Sequence, residues 1–189
     1  LLYLNDSLCV KRINKSGDDI GNPVVVPDNS DLRYSYYKTL TELNNNSFLI
    51  GYLKYLGRDS DIYYQEFSYD ILPQNEPVRI NDDWGSSNQY KPQIKFNSFG
   101  ESIVCWMDQL NGRDELYAQL YDTEFNPVGA NICVSDTPIY WSTGLYKDIV
   151  TLSDGTFIIV WLGSDDGYPV YLSGQKISRT GEKLGMNKI

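Results

Sequence analysis

An internal repeat of about 54 residues limits the folds open to this sequence more than any other property. Three apolar runs end in an aromatic residue, and these anchors, Tyr52, Trp106 and Trp161, are 54 and 55 residues apart. A second apolar run and then a third follow each anchor in the same order, separated by polar turns. Self-similarity at a fixed period of this size indicates an array built from one supersecondary unit.

Each unit is predicted to contain four short strands. Val, Ile, Tyr, Trp and Phe dominate the runs, and no stretch keeps a 3.6-residue apolar rhythm for three turns. Gly100 and Gly155 each lie six residues before an anchor Trp, where a tight hairpin between the first two strands requires a positive φ. Four antiparallel strands in about 50 residues are typical of a β-propeller blade, so we predict an all-β, β-propeller-like array of four-stranded antiparallel blades.

The repeat units are predicted at about 1–35 (partial), 36–89, 90–145 and 146–189 (partial), all within one domain, 1–189. This is about three and a half blades, and closed propellers have about four to eight. We therefore expect a segment of a larger propeller; a closed four-blade ring is the alternative. An open array leaves sheet faces and edges uncovered, so the remaining blades, of the same or another chain, are expected partners.

Charge and composition exclude several function classes. Sixteen Lys and Arg against 25 Asp and Glu give a net charge of −9, which repels phosphate backbones and anionic headgroups. No apolar run approaches the roughly 20 residues of a membrane helix. We therefore expect neither nucleic-acid binding nor membrane insertion. The sequence has no His, which removes the commonest general base and metal ligand.

The three cysteines, Cys9, Cys105 and Cys133, each lie within an apolar run that is predicted to be a strand. We expect them to be buried free thiols, because free Cys is among the most buried residue types. Their number excludes a Cys₄ zinc site, and the absence of His excludes a Cys₂His₂ site.

Several segments resemble a known repeat. They read NDDWGSSNQYKP over residues 81–92, IVCWMD over 103–108 and NGRDELYAQ over 111–119. The chain resembles the propeller-like repeats of large secreted or surface proteins of the Bacteroidetes and related bacteria, with strand and turn patterns of the V-N-D-D, W-x-D-x-R-N-G and D-I-Y-A-Q type. The resemblance covers nearly the whole chain and is strongest over about 76–136. It departs from the pattern at Tyr52, where the family has Trp.

The resemblance implies a propeller-like fold in an exported protein, located outside the cell, at the cell surface or in the periplasm. It carries over no catalytic residues. The expected ligand is a carbohydrate or a protein partner at the cell surface.

Candidate binding residues are predicted on one face. In a blade, the loop entering the first strand and the turn between the second and third strands lie at the same end. Aromatic faces stack on sugars or peptide side chains, and charged neighbours bind hydroxyl or backbone groups. The candidates are Trp84, Trp141, Tyr140, Tyr34, Arg58, Arg113, Asp59 and Asp165. They predict a non-catalytic binding or adhesion module; packing between blades is the alternative role of the aromatics.

Two other functions remain open. The first is an interaction scaffold, in which the repeats space other domains and bind nothing themselves. The second is a propeller glycosidase, which needs two carboxylates flanking a scissile bond. Asp148 is the candidate carboxylate on a first strand, but its counterparts Thr39 and Gln93 are not acidic. We therefore predict no catalytic residue and no enzymatic activity.

No cofactor is predicted, and a structural calcium ion is the alternative. Paired acids at Asp59/Asp61, Asp82/Asp83 and Asp165/Asp166 place hard oxygen ligands in loops. The sequence contains no D-x-[DN]-x-[DN]-G loop, and Asp is favoured in turns for its own hydrogen bonding to the backbone.

Overall fold

The computed structural model describes residues 2–4, 7–26, 38–44, 46–56, 59–82, 87–109, 112–137, 139, 146–163 and 171–188. The helix and strand assignments within these residues consist of β-strands alone. No helix there is long and apolar enough to cross a membrane.

The strands form four antiparallel sheets in which strand order follows chain order. Sheet 1 contains β1 (Leu2–Leu4), β2 (Ser7–Ile13) and β3 (Asp19–Val25). Sheet 2 contains β4 (Lys38–Asn44), β5 (Ser47–Leu56), β6 (Asp59–Ser68) and β7 (Val78–Arg79). Sheet 3 contains β8 (Gln89–Phe96), β9 (Ser102–Asp108), β10 (Glu115–Tyr121) and β11 (Pro127–Cys133). Sheet 4 contains β12 (Lys147–Thr151), β13 (Phe157–Gly163), β14 (Tyr171–Ile177) and β15 (Lys183–Lys188).

The sheets pack face to face, and the first strands of sheets 2, 3 and 4 lie on the inside of the stack. The inner strand β8 of sheet 3 contacts β4 of sheet 2 and β12 of sheet 4. Strand β9 is buried at every residue because sheet 3 is covered on both faces. The anchors Tyr52, Trp106 and Trp161 are buried, as predicted. These blade-like meanders confirm the predicted all-β, propeller-like fold class.

Close approach at the inner strands depends on one glycine. A Cβ atom at Gly51 would lie 2.7 Å from Thr39 Cγ2 and 3.4 Å from Ile94 Cδ1 of the next sheet. The missing side chain therefore leaves room for the Thr39 methyl group on the neighbouring strand of the same sheet, while Ile94 of sheet 3 packs at an ordinary contact distance.

In sheets 3 and 4, a buried glutamine on the third strand donates hydrogen bonds to the fourth strand of the same sheet. This contact explains why Gln recurs in the repeat. Gln119 Nε2 donates to the carbonyl oxygens of Leu120, Val128 and Gly129 at 2.9, 3.1 and 3.3 Å. Gln175 makes the equivalent three bonds in sheet 4. Both glutamines lie where the strand register shifts, so each side chain donates to carbonyl oxygens that the irregular strand ladder does not pair.

The hairpins between the first and second strands of sheets 3 and 4 have the predicted backbone conformation. Gly100 and Gly155 have φ of 82° and 84°, which confirms the prediction from their spacing. Two third-to-fourth-strand hairpins place apolar residues in this conformation instead: Ile71 and Phe125 both have φ of 61° and are buried. Burial of these side chains offsets a backbone conformation that is unfavourable for residues other than glycine.

The cysteines are free thiols. Cys9 and Cys105 are buried, and burial raises the pKa of Cys105 to about 11. The prediction that all three are buried was wrong for Cys133, which is half-buried, because it lies at the end of the outermost strand β11 of its sheet.

An ion pair joins the hairpin between β8 and β9 of sheet 3 to the hairpin between β14 and β15 of sheet 4. Arg179 Nε and Nη2 donate to the two carboxylate oxygens of Glu101 at 2.7 and 2.6 Å. The Arg179 guanidinium carbon lies 4.2 Å from the ring centroid of Phe99. Hydrogen bonds from Arg179 are the main cause that lowers the pKa of Glu101 below its usual range.

We expect Glu101→Gln to lower the melting temperature at pH 7, by at most a few degrees, and to have a smaller effect at pH 3. The pKa of Glu101 is lower in the folded protein, so its stabilisation is present above the unfolded-state pKa and is lost as pH falls through the folded-state pKa. Thermal unfolding across this pH range measures it, with Glu124→Gln as the control in another hairpin. Equal losses at pH 3 and pH 7 would contradict the role of the pair.

Candidate functional site

The register of the strands defines one end of the stack as the loop face. In sheet 3, the start of β8 pairs with the end of β9, as Gln89 lies opposite Asp108. The start of β10 also pairs with the end of β9, and Tyr117 near its start pairs with Cys133 at the end of β11. The loop face therefore carries the starts of the first strands and the turns between the second and third strands. We call the opposite end the hairpin face.

Two of the predicted site residues lie on the loop face of the described structure. Arg113 is exposed in the turn between β9 and β10, and Asp59 is half-buried at the first residue of β6. The other six lie outside the described residues: Trp84, Trp141, Tyr140, Tyr34, Arg58 and Asp165. Their role in binding stays a prediction.

Three lysines stand at the loop-face end of the inner strands. Lys38 and Lys147 are the first residues of β4 and β12, and Lys91 is the third residue of β8. All three are half-buried, and desolvation is the largest cause that lowers the pKa of each. Because β8 lies beside β4 and β12, the three lysines lie at the same end of neighbouring inner strands.

Lys147 links sheets 3 and 4. Its Nζ donates to the carbonyl oxygen of Lys91. Besides desolvation, the neighbouring Lys91 charge lowers the pKa of Lys147, while Cys105 and Asp148 raise it. The fold thus holds two ammonium groups near each other in partly desolvated surroundings, where electrostatic interactions are stronger than in water.

A local irregularity in β8 positions Lys91. The ladder between β8 and β9 shifts register between Tyr90 and Gln93, and Lys91 has φ of 54°. The Tyr90 hydroxyl donates to Asp114 Oδ1, and the charge of Asp114 opposes the desolvation that lowers the pKa of Lys91. Asp114 is buried in the turn that also holds Arg113. The turn between β9 and β10 is therefore fixed to the start of the inner strand.

A second buried carboxylate stabilises the same turn. Asp108 Oδ2 accepts hydrogen bonds from Gln89 Nε2 at 3.3 Å and from Trp106 Nε1 at 3.4 Å. Asn88 Nδ2 also donates to Gln109 Oε1 at 3.3 Å across the two strand ends. These bonds give the loop face of sheet 3 a defined backbone on which Arg113 is displayed.

The register confirms that Thr39, Gln93 and Asp148 are equivalent, since they pair with Gly51, Cys105 and Val160. Asp148 is exposed, and its Oδ1 accepts hydrogen bonds from Gln93 Nε2 at 2.9 Å and from the Ile149 amide at 2.8 Å. At this level of the described inner strands Asp148 has no second carboxylate opposite it. The pair required for glycoside hydrolysis is not formed there.

Two of the acidic residues considered for calcium, Asp61 and Asp82, are engaged by protein groups. Asp61 Oδ1 accepts from Asn81 Nδ2 at 2.8 Å and lies 3.3 Å from Arg79 Nε. Asp82 Oδ2 accepts a hydrogen bond from the backbone N–H of Asn131 in the next sheet at 3.3 Å. No group of three acidic or Cys side chains suited to a metal occurs among the described residues. Asp83, Asp165 and Asp166 lie outside them.

Two clefts open between sheets away from the lysines. One of about 490 Å³ lies between sheets 1 and 2 and is lined by Leu40, Phe48, Tyr69 and others. A second of about 460 Å³, between sheets 2 and 3, includes Glu66 and Glu124. Neither includes a residue predicted from the sequence to bind ligand.

The inner lysines, with Asp108 and Asp114, are the loop-face residues that sequence reasoning did not assign. A signal for the lysines was present, because Tyr-Lys pairs recur at 37–38, 90–91 and 146–147. A repeated Lys at a strand start is ordinarily a solvated residue, and only the stacking of sheets shows that it is desolvated.

No family model matches the chain, and no curated protein matches it. Among solved structures, it is similar to the crystal structure of an endo-arabinase from Bacteroides thetaiotaomicron, with a TM-score of 0.46 and 11% sequence identity. The match covers 79% of this chain and 58% of that chain. At this identity and TM-score the likeness carries no information on activity or ligand.

Proposed function

We propose that the protein is a non-catalytic binding module that holds a glycan or a peptide on its loop face. The observation that carries the proposal is the position of Lys38, Lys91 and Lys147 at the loop-face end of the inner strands, with Lys91 and Lys147 close enough for their charges to interact, in a chain with a net charge of −9. Burial disfavours the charged form of each lysine. A ligand carboxylate would add a negative charge beside these ammonium groups and so favour their charged form.

The neighbouring turn supplies the remaining contacts. Arg113 is exposed next to the buried Asp114, so its guanidinium can bind a carboxylate or hydroxyl groups of the ligand while the turn stays fixed. The predicted aromatic residues, among them Trp84 and Trp141, would add stacking surface. The shared ligand chemistry is therefore a carboxylate beside an apolar ring or side chain, in either an acidic glycan or an acidic peptide.

The assignment as a binding module rather than an enzyme is supported by the inner strands. Asp148 lies opposite Gln93 and is equivalent to Thr39, and the buried Asp108 and Asp114 are each held by protein hydrogen bonds. A location outside the cell or at its surface is part of the proposal and follows from the resemblance to exported repeat proteins. Periplasmic location is the alternative.

Binding to arrays of uronic acid-containing glycans, neutral glycans and Asp- or Glu-rich peptides tests the proposal. We expect binding to acidic probes, weakened at least tenfold by Lys91→Gln and by Arg113→Ala, because a hydrogen bond to a charged group contributes about 1.5–3 kcal/mol. Lys95→Gln is the matched control, since Lys95 is exposed further along the same strand β8, toward the hairpin face.

The preferred probe decides between glycan and peptide. Binding that Lys91→Gln and Lys95→Gln reduce equally would place the ligand elsewhere. The absence of binding to every acidic probe would contradict the proposal and favour the scaffold.

A further inference from the structure

We infer that the cleft between sheets 2 and 3 binds an alkylammonium group, carried by a lysine side chain or by a free amine. The cleft opens on the hairpin face, because Phe99 and Gly100 of the hairpin between β8 and β9 line it together with Thr123 of the hairpin between β10 and β11. Its volume of about 460 Å³ falls within the range of small-molecule sites.

Aromatic rings from both sheets form part of the cleft wall. Tyr64 of sheet 2 and Phe125 of sheet 3 meet edge to face, with ring centroids 4.4 Å apart. Phe99 at the rim already holds a cation, since the guanidinium carbon of Arg179 lies 4.2 Å from its ring centroid while that guanidinium also pairs with Glu101. Aromatic faces attract cations, so these rings favour a positively charged ligand.

A buried hydroxyl group in the wall has no protein partner. Tyr64 is only 7% exposed, yet its hydroxyl makes no hydrogen bond within the described part of the chain. Desolvation, and then the charge of Glu66, raise the pKa of Tyr64, so this carboxylate lies near the phenol. A buried hydroxyl without a hydrogen bond is unfavourable, and a donor bound in the cleft would satisfy it.

The cleft carries negative charge on both walls. Glu66 of sheet 2 is half-buried and Glu124 of sheet 3 is exposed, and neither forms an ion pair with any of the described cations. Both are displayed on a fixed backbone: the Glu66 N–H donates to Asn75 Oδ1 at 3.1 Å, and the Glu124 N–H donates to Asp122 Oδ1 at 2.9 Å. The cleft therefore offers a cation two uncompensated carboxylates.

These features together select an alkylammonium group. Its N–H groups can donate to the Glu66 carboxylate and to the Tyr64 hydroxyl, and its methylene groups can pack on the rings and on Leu49. A calcium ion would need about six to eight oxygen ligands, and the described residues contain no group of three acidic or Cys side chains suited to a metal. An anion would be repelled by both glutamates.

An NMR titration of the isotope-labelled protein tests the inference with three probes. They are a lysine peptide with blocked ends, the same peptide with an acetylated lysine, and butylamine. The lysine peptide and butylamine should shift the amide signals of Gly100 and Phe125, which line the cleft. The acetylated peptide should not, because acetylation removes the charge. Tighter binding of the peptide identifies a protein partner as the source of the group, and tighter binding of butylamine identifies a free amine.

Variants separate this site from general attraction to an acidic protein. Glu66→Gln and Tyr64→Phe should each weaken binding of the lysine peptide about tenfold, because each alters a hydrogen bond to a charged group. Neither should lower the melting temperature, since neither side-chain group has a hydrogen-bond or ion-pair partner among the described residues. Glu76→Gln is the matched control, because Glu76 is an exposed glutamate of the same sheet that does not line the cleft.

Three results would overturn the inference. The first is the absence of saturable binding by either amine. The second is equal binding of the acetylated and unmodified peptides. The third is an equal loss of binding for Glu66→Gln and Glu76→Gln, which would show that only the net charge of the chain attracts the amines.

Discussion

Replacing Trp106 with alanine should lower the free energy of unfolding by about 3–5 kcal/mol, the range for removing a buried aromatic residue from a core. Trp106 is completely buried in sheet 3, which is covered on both faces, and its ring stacks on Tyr117 with centroids 6.3 Å apart. The substitution also removes a hydrogen bond to the buried Asp108. Denaturant unfolding followed by tryptophan and far-ultraviolet signals measures the loss.

Two controls accompany this measurement. Trp106→Phe keeps most of the apolar volume and should cost less than half as much. Tyr146→Ala removes an aromatic residue that is largely exposed and should leave stability unchanged. A loss below about 1 kcal/mol for Trp106→Ala would mean that the stacking of sheets 2, 3 and 4 is not as described, because only partial burial gives so small a cost.

Gly155→Ala should destabilise the protein by about 2–5 kcal/mol through two separate effects. Gly155 has φ of 84°, which costs a residue with a Cβ atom about 1–2 kcal/mol. The new Cβ would also lie 2.8 Å from Phe99 Cδ2 and 2.7 Å from Arg179 Cδ, so the hairpins of sheets 3 and 4 would have to separate. Overpacking of this kind adds about 1–3 kcal/mol.

Gly17→Ala isolates the backbone effect. Gly17 occupies the same turn position, bonded from its amide to the carbonyl three residues before, and has φ of 89°. A Cβ atom there would meet nothing within 4 Å. It should therefore cost only about 1–2 kcal/mol. Equal losses for the two variants, measured by denaturant unfolding, would show that the contact between hairpins contributes nothing.

The fold class was predictable because the same burial and turn requirements recur in each repeat unit. The anchors Tyr52, Trp106 and Trp161 recur where each second strand is buried between sheets, and Gly100 marks a hairpin that needs positive φ. The exceptions were not predictable locally. Phe125 adopts positive φ because its ring is buried and stacks on Tyr121 at 4.2 Å, a tertiary contact that no turn rule contains.

The site was predictable only in part. Arg113 and Asp59 were assigned to the loop face from the order of strands, and the structure places both there. The inner lysines were not assigned, because their chemistry depends on desolvation by neighbouring sheets, which the sequence of one unit does not show. Asp108 and Asp114 likewise gain their roles from partners on β8 and β9.

The most direct test of the loop face as the binding site is amide hydrogen exchange with and without the tightest-binding acidic probe. The account predicts slower exchange at 87–91, 112–115 and 146–148, where the inner strands begin and the Arg113 turn lies. Exchange in the hairpins at 14–18, 97–101, 152–156 and 178–182 should be unchanged, since they lie at the opposite end of the sheets. Protection confined to those hairpins would contradict the account.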